Sequence, residues 1–171
     1  MCETWLRGTL GELHPVIRAV VHSLEQAGED LLTWTSDLGE TELWCEPHGL
    51  APVGFQMRHI AGSIDRLLTY AVGQDLTAEQ MSELRGERSA DATLQEMRAL
   101  TAGRLLEAET RVRGVDPAML TEPRAVGRKR FPTTLAGLLI HTAEHTQRHV
   151  GQMIVTVRVL RALRPVVEKG L

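Results

Sequence analysis

The chain has 171 residues, 43% hydrophobic and 24% charged, which favours one globular domain over residues 1–171 with a sizeable core. The 19 basic and 22 acidic residues give a net charge of −3, which argues against a nucleic acid or an anionic membrane as partner. No apolar run approaches the ~20 residues that a membrane span needs, and residues 1–5 lack signal-peptide features, so we expect a cytoplasmic protein.

The first predicted helix begins at a capping box in residues 9–12 and runs to about Ala27. Pro15 falls within its first turns, where proline is best tolerated. We interpret His14 and His22 as ordinary surface or boundary histidines. The apolar residues that recur along one face are Leu13, Val16, Ile17, Val20, Val21 and Leu24.

Residues 28–54 are predicted to form a long connection with one or two short helical turns. Proline and glycine within residues 46–52 indicate a loop. Long connections that carry apolar anchors usually pack as a lid or a wall, so Trp34, Trp44 and this loop are candidate cavity walls. More often, however, tryptophans anchor a core, and we expect this of Trp5, Trp34 and Trp44.

The two cysteines, Cys2 and Cys45, form neither a close metal-binding motif nor a disulfide framework. A nucleophilic role for Cys45 stays open at this stage. The favoured interpretation is a partly buried structural thiol.

The second long helix is predicted over residues 54–71, with His59 at the edge of its apolar stripe. A lone histidine in this position usually belongs to the core with its hydrogen bonds satisfied. Here it is also a candidate metal ligand, because more histidines occur later in the chain. Ser63 lies one turn further on, and Asp65 and Arg66 can serve as ion-pair or supporting groups.

The middle of the chain is predicted to hold a short helix capped at Thr77 and a third long helix capped at Ser89. The long helix should end before Gly114, near the favoured position of a C-cap. Residues 116–120 indicate a single helical turn. Residues 126–131 suggest a short hairpin or an extended loop.

The fourth long helix is predicted over residues 135–164, and it carries His141, His145 and His149 at intervals of four residues. Four residues advance ~400° and ~6 Å along a helix, so neighbouring members of this series lie almost above one another. Two such imidazoles can close on one metal ion. The alternative is a solvated or hydrogen-bonded histidine stripe that binds no metal.

Two polar residues near this series complete the candidate site. Glu144 precedes His145 and points ~100° away from it, which differs from a metalloprotease motif and indicates a surface or supporting group. Gln152 lies one turn beyond His149. It either faces the cavity or satisfies the end of the site.

The overall pattern predicts an all-α fold: a four-helix bundle with long crossover connections and ligands in its core. Two segments, 57–67 and 145–152, resemble the second-helix and C-terminal-helix motifs of the DinB/YfiT-like metalloenzyme superfamily. The resemblance implies a divalent metal, zinc or nickel, bound by three histidines, and frequent homodimers. By position, the implied metal ligands are His59, His145 and His149, with His141, Gln152, Glu144 and Ser63 as pocket or supporting groups.

The resemblance also implies the chemistry, because the family includes transferases and isomerases that use low-molecular-weight thiols. A structural zinc site normally has four protein ligands, so three histidines favour an ion with an open position. We therefore favour a thiol-dependent transferase, with no catalytic residue assigned. The alternatives are a metal-dependent hydrolase, for which a clear general base is missing, a non-catalytic metal- or ligand-binding bundle, and a helical dimer without metal.

Overall fold

The computed structural model describes residues 3–165. Within them the chain forms five α-helices and one short β-hairpin. In chain order the elements are α1 (Pro15–Thr35), α2 (Val53–Ala71), α3 (Ala78–Arg85), α4 (Leu94–Arg113), β1 (Pro123–Val126), β2 (Phe131–Thr134) and α5 (Leu135–Leu163).

The four long helices pack as a bundle in which α1 and α2 each contact both α4 and α5. The short helix α3 lies against α2. Strands β1 and β2 pair antiparallel, with Pro123 opposite Thr134 and Val126 opposite Phe131. The predicted all-α four-helix bundle is therefore confirmed. Of the two alternatives for residues 126–131, a short hairpin or an extended loop, the structure shows the hairpin.

The core consists of two apolar clusters at opposite ends of the bundle. One includes Ile60 of α2 and Leu139 of α5. The other includes Met57 of α2 and Met153 of α5. His59 lies between Met57 and Ile60 in the chain, so α2 presents this histidine where the two clusters meet.

Helix α1 differs from the prediction at both ends. It begins at Pro15, with His14 as N-cap, because the backbone at Leu10 takes a left-handed φ of 38° that a helix does not allow. It continues past Gly28 to Thr35, since Leu31 and Thr35 are still buried. The connection to α2 is therefore shorter than predicted, and it contains the 3₁₀ turns Glu40–Glu42 and Pro47–Gly49.

Helix α4 begins later than predicted. Its cap is Thr93, which forms a capping box with Glu96, and not Ser89. The carbonyl oxygens of Gly86 and Ser89 instead accept hydrogen bonds from Arg58 of α2, at 3.0 Å and 2.6 Å. These bonds hold the segment before α4 in a non-helical path.

The other caps in this half of the chain agree with prediction. Thr77 caps α3, and Gly114 is the C-cap of α4. The turn predicted in residues 116–120 is the 3₁₀ turn Pro117–Met119.

Two side-chain predictions outside the site are wrong. Trp5 is 61% exposed and is not a core anchor, whereas Trp34 and Trp44 pack against the second apolar cluster. Cys45 is exposed, and its thiol donates a hydrogen bond to the carbonyl oxygen of Thr41 at 3.0 Å. Cys2 lies outside the described residues. None of the helices in residues 3–165 combines the length and apolarity needed to cross a membrane.

Candidate metal centre

Three histidines from two helices meet in one cluster. His59 comes from α2, and His145 and His149 come from successive turns of α5. One ligand nitrogen from each ring lies within 4.8 Å of the other two. The Nε2 atoms of His59 and His145 are 3.0 Å apart, and the ring centroids of His59 and His149 are 4.2 Å apart. We call His59, His145 and His149 the histidine cluster.

Burial keeps two members of the histidine cluster uncharged. The pKa of His145 and of His149 is lowered to about 4, chiefly by burial and to a smaller extent by charge repulsion from the neighbouring His59. At neutral pH both rings are therefore neutral imidazoles with a lone pair. This is the form in which histidine binds a metal ion.

A buried carboxylate, which was not predicted from the sequence, contacts the ring of His59. Nδ1 of this ring lies 2.7 Å from Oε2 of Glu87, and Arg66 donates a hydrogen bond to Oε1 of Glu87 at 2.7 Å. Burial alone would raise the pKa of Glu87, but the hydrogen bonds from His59 and Arg66 outweigh it and leave this pKa below its usual value. Glu87 is therefore an ionised acceptor.

His149 has a different partner, the side-chain amide of Gln56. Its Nδ1 lies 2.7 Å from Oε1 of Gln56, whose Nε2 donates to Oε1 of Gln152 at 3.1 Å. Because an amide oxygen only accepts, this contact places the ring proton of His149 on Nδ1. Gln56 was not predicted from the sequence, although it lies three residues before His59 on the same helix and so projects near the same face.

The remaining predicted residues lie around the cluster. Gln152 is exposed and reaches His149 only through Gln56. His141 is also exposed, with its ring centroid 5.4 Å from that of His145, and its Nδ1 lies 2.7 Å from a Glu144 carboxylate oxygen at the surface. Ser63 is buried and donates its hydroxyl to the carbonyl oxygen of Ile60, at 3.1 Å, within its own helix.

An open cleft of about 490 Å³ lies beside Gln56. The predicted wall loop contributes to it, but Trp34 and Trp44 do not line it. Trp34 instead stacks with Arg161, and Trp44 stacks with Arg58 and donates to the carbonyl oxygen of Ala92. The residues that give the cleft its chemistry are Leu50, Ala51, Gln56, Arg148, Gln152 and Val155.

An aromatic ring and a guanidinium cover the α2 side of the histidine cluster. The rings of Phe55 and His59 are stacked, with centroids 5.6 Å apart. The guanidinium of Arg88 lies over the ring of Phe55, 4.8 Å from its centroid. The side chain of Phe55 therefore limits access to His59 from this direction.

The donor set fits a divalent transition metal. Imidazole nitrogens suit zinc, nickel, copper and iron, and the rings of His59 and His149 are oriented through their Nδ1 atoms. Three protein ligands leave at least one coordination position for a small molecule. The histidine cluster is therefore a candidate catalytic metal centre.

Comparison with known proteins agrees with this fold. A model of the DinB superfamily matches residues 18–153. The structure of YfiT from Bacillus subtilis is similar at 15% sequence identity, with a TM-score of 0.64 over 85% of this chain and 87% of that chain. YfiT is described as a probable metal-dependent hydrolase with an unusual four-helix bundle topology. No curated protein matches the chain. At this identity the similarity to YfiT establishes a shared fold.

Proposed function

This chain belongs to the DinB superfamily, and we propose that it is an enzyme that depends on a divalent metal, zinc or nickel, held by His59, His145 and His149. The observation that carries the proposal is the approach of three imidazole nitrogens to within 4.8 Å of one another. Such an ion, when bound, lowers the pKa of a thiol or a water molecule that enters its open position.

The chain's own side chains bind and orient the substrate in this proposal. Gln152 and Arg148 offer hydrogen-bond donors along one side of the cleft, while Leu50 and Val155 give it an apolar side that excludes water. Gln56 links the cleft to His149. A substrate bound in the cleft would therefore lie beside Gln56, which separates it from His149.

A thiol is the nucleophile that this site favours. A general base would need a free carboxylate close to the cluster, but Glu87 already accepts from His59 and Arg66, and Glu144 contacts His141 at the surface. A free thiol already ionises near pH ~8.5, whereas water, with a pKa of ~15.7 in bulk, depends wholly on a bound metal for its ionisation. We therefore propose thiol-dependent transfer to an electrophilic small molecule as the reaction class.

Thiol consumption by the purified protein tests this proposal. The protein is loaded with zinc or with nickel and given a panel of low-molecular-weight thiols with an electrophilic acceptor. Thiol loss should be catalysed with metal and abolished by a chelator or by His145→Ala. Equal rates with and without metal would contradict the proposal.

A metal-dependent hydrolase is the second candidate, favoured by the structural similarity to YfiT. Ester and amide substrates distinguish the two classes, because hydrolysis proceeds without added thiol. Metal-dependent hydrolysis that thiol does not accelerate would replace the transferase proposal. Stoichiometric metal without turnover of either kind would support the non-catalytic binding bundle.

The homodimer stays a prediction, which light scattering on the purified protein tests.

A further inference from the structure

Glu87 occupies an unusual place for an acidic residue. It lies in the connection between α3 and α4, yet it is only 6% exposed. Its two carboxylate oxygens have separate partners: Oε2 contacts Nδ1 of His59, and Oε1 accepts from Arg66, both at 2.7 Å. A buried carboxylate is costly unless it is paired and hydrogen-bonded, and here both oxygens are used.

Helix α2 leaves space for the contact between Glu87 and Arg66. Arg66 is buried, and it follows His59 by seven residues, so both side chains project from nearly the same face of the helix. Gly62 lies between them. A Cβ atom at Gly62 would come within 2.7 Å of Nη1 of Arg66 and 3.1 Å of Oε1 of Glu87. The glycine therefore allows the guanidinium and the carboxylate to approach α2 closely.

We propose that Glu87 is a positioning residue for His59: it accepts the Nδ1 proton of the ring and so directs the Nε2 lone pair into the histidine cluster. Arg66 holds the carboxylate in place, and Gly62 provides the room. The effect on metal binding rests on the proposed function, whereas the effect on the tautomer of His59 does not. Glu87 itself does not touch the substrate or the metal.

The geometry explains why a carboxylate differs here from an amide. An ionised carboxylate offers two acceptor oxygens, one for His59 and one for Arg66. The variant Glu87→Gln replaces one of these oxygens with a donor. Because the guanidinium of Arg66 can only donate, it keeps the remaining amide oxygen, and Nδ1 of His59 then faces a donor. The variant Glu87→Leu removes both oxygens.

The first test uses the metal-free protein and ¹⁵N NMR of the histidine rings. In the unmodified chain His59 should be the Nδ1-protonated tautomer, and Glu87→Gln should shift it toward the Nε2-protonated form. Glu87→Leu should shift it less, because leucine neither accepts nor donates. Because Glu87→Leu leaves Arg66 buried without its partner, Glu87→Gln decides the matter if the leucine variant does not fold. An unchanged tautomer in Glu87→Gln would overturn the proposal.

The second test measures zinc affinity by competition with a chelator. Outer partners of metal-binding histidines typically contribute ~10–100-fold, so we expect about tenfold weaker binding for Glu87→Gln and up to about 100-fold for Glu87→Leu. The matched control is Asp65→Asn, which removes the charge of a partly buried carboxylate on α2 that pairs with Arg104 at 2.8 Å. This control should lose stability without losing zinc affinity.

Equal losses of zinc affinity in Glu87→Gln and Asp65→Asn would overturn the positioning role, since both would then reflect general destabilisation. Failure of the proposed function gives a different pattern. In that case the unmodified chain binds no zinc, while the NMR experiment still decides whether Glu87 sets the tautomer of His59.

Discussion

Helices α2 and α5 meet in two ways, one apolar and one polar. In the apolar layer Ile60 and Ile64 of α2 and Leu139 of α5 are almost fully buried in one cluster. In the polar layer the same two helices bring together the histidine cluster. The apolar layer consists mostly of residues of the long helices, whereas the polar layer also requires Glu87 from the connection between α3 and α4. The apolar layer therefore stabilises the fold, and the polar layer is the part that we propose binds a metal ion.

The energetics of the two layers differ in the same way. Burial of one aliphatic side chain contributes roughly 1.5–3 kcal/mol to the stability of the fold. Burial of an imidazole instead favours its neutral form, as the pKa values of about 4 for His145 and His149 show. We therefore expect substitutions in the apolar layer to change stability and substitutions in the polar layer to change metal affinity.

The largest effect is expected for Leu139→Ala in the apolar layer. Leu139 is 1% exposed, so its truncation leaves a cavity and should lower the free energy of unfolding by about 2–5 kcal/mol. Chemical denaturation measures this loss. Leu106→Ala is the control, because Leu106 is 66% exposed and should change stability by less than about 0.5 kcal/mol. Equal effects of the two variants would show that the apolar layer is not the source of stability.

The second effect concerns His145 and His141, two histidines one turn apart on α5. His145→Ala removes a member of the histidine cluster and should weaken zinc binding by more than about 100-fold, beyond the usual range for outer partners. His141→Ala should leave zinc affinity unchanged, because His141 contacts Glu144 at the surface. Chelator competition measures both variants. Retention of full affinity in His145→Ala would remove this residue from the metal site.

A smaller effect is expected when the support of the polar layer is disturbed without a change of charge. Gly62→Ala places a methyl group against Arg66 and Glu87 and should weaken zinc binding by about tenfold, at the lower end of the range for outer partners. Gly103→Ala is the matched control on α4, where an added Cβ meets nothing within 4 Å. It should stabilise the helix by about 0.5–1 kcal/mol without altering zinc affinity. Unchanged affinity in Gly62→Ala would show that the network tolerates displacement.

The smallest effect lies far from both layers, at the C-terminal end of α5. Hydrogen bonds from Arg161 and then Arg164 lower the pKa of Asp37 to about 2. The folded state thus favours the ionised form, so this contribution is present above about pH 4 and is lost as the pH falls toward 2. Because Asp37 is about half exposed, Asp37→Asn should cost less than about 1 kcal/mol at neutral pH.

Unfolding measured between about pH 5 and pH 2 should show a shallower loss of stability in Asp37→Asn than in the unmodified chain. Zinc affinity at neutral pH should not change in this variant. Identical pH profiles would indicate that the contact does not persist in solution.

The apolar layer was predictable because its residues recur at helical spacing along the sequence. Helix α5 begins at the predicted residue because Thr134 caps it, accepting from the amide of Gly137 at 3.1 Å. Helix α1 was harder to predict. Gly28 looked like a helix end, but it lies inside α1. The helix continues beyond it because Leu31 and Thr35 are buried, a tertiary effect that local propensity does not contain.

The polar layer was predictable only in part. Spacing and resemblance pointed to His59, His145 and His149, which the structure brings together. Glu87 could not be identified because it lies in a segment without periodicity, and its role depends on the fold carrying it to a histidine 28 residues earlier. Gln56 had a weak signal, since it precedes His59 by three residues on one helix. Supporting residues of this kind are defined by tertiary contacts, which spacing within a single helix does not report.

The most direct test of the account is X-ray absorption spectroscopy of the zinc-loaded protein, combined with elemental analysis. One ion per chain should be bound by three imidazole nitrogens at about 2.0–2.1 Å, with at least one oxygen ligand from solvent. In His145→Ala the number of imidazole ligands should fall. A sulfur ligand from Cys45, or an ion bound with unchanged imidazole coordination in His145→Ala, would contradict the assignment of the metal centre to the histidine cluster.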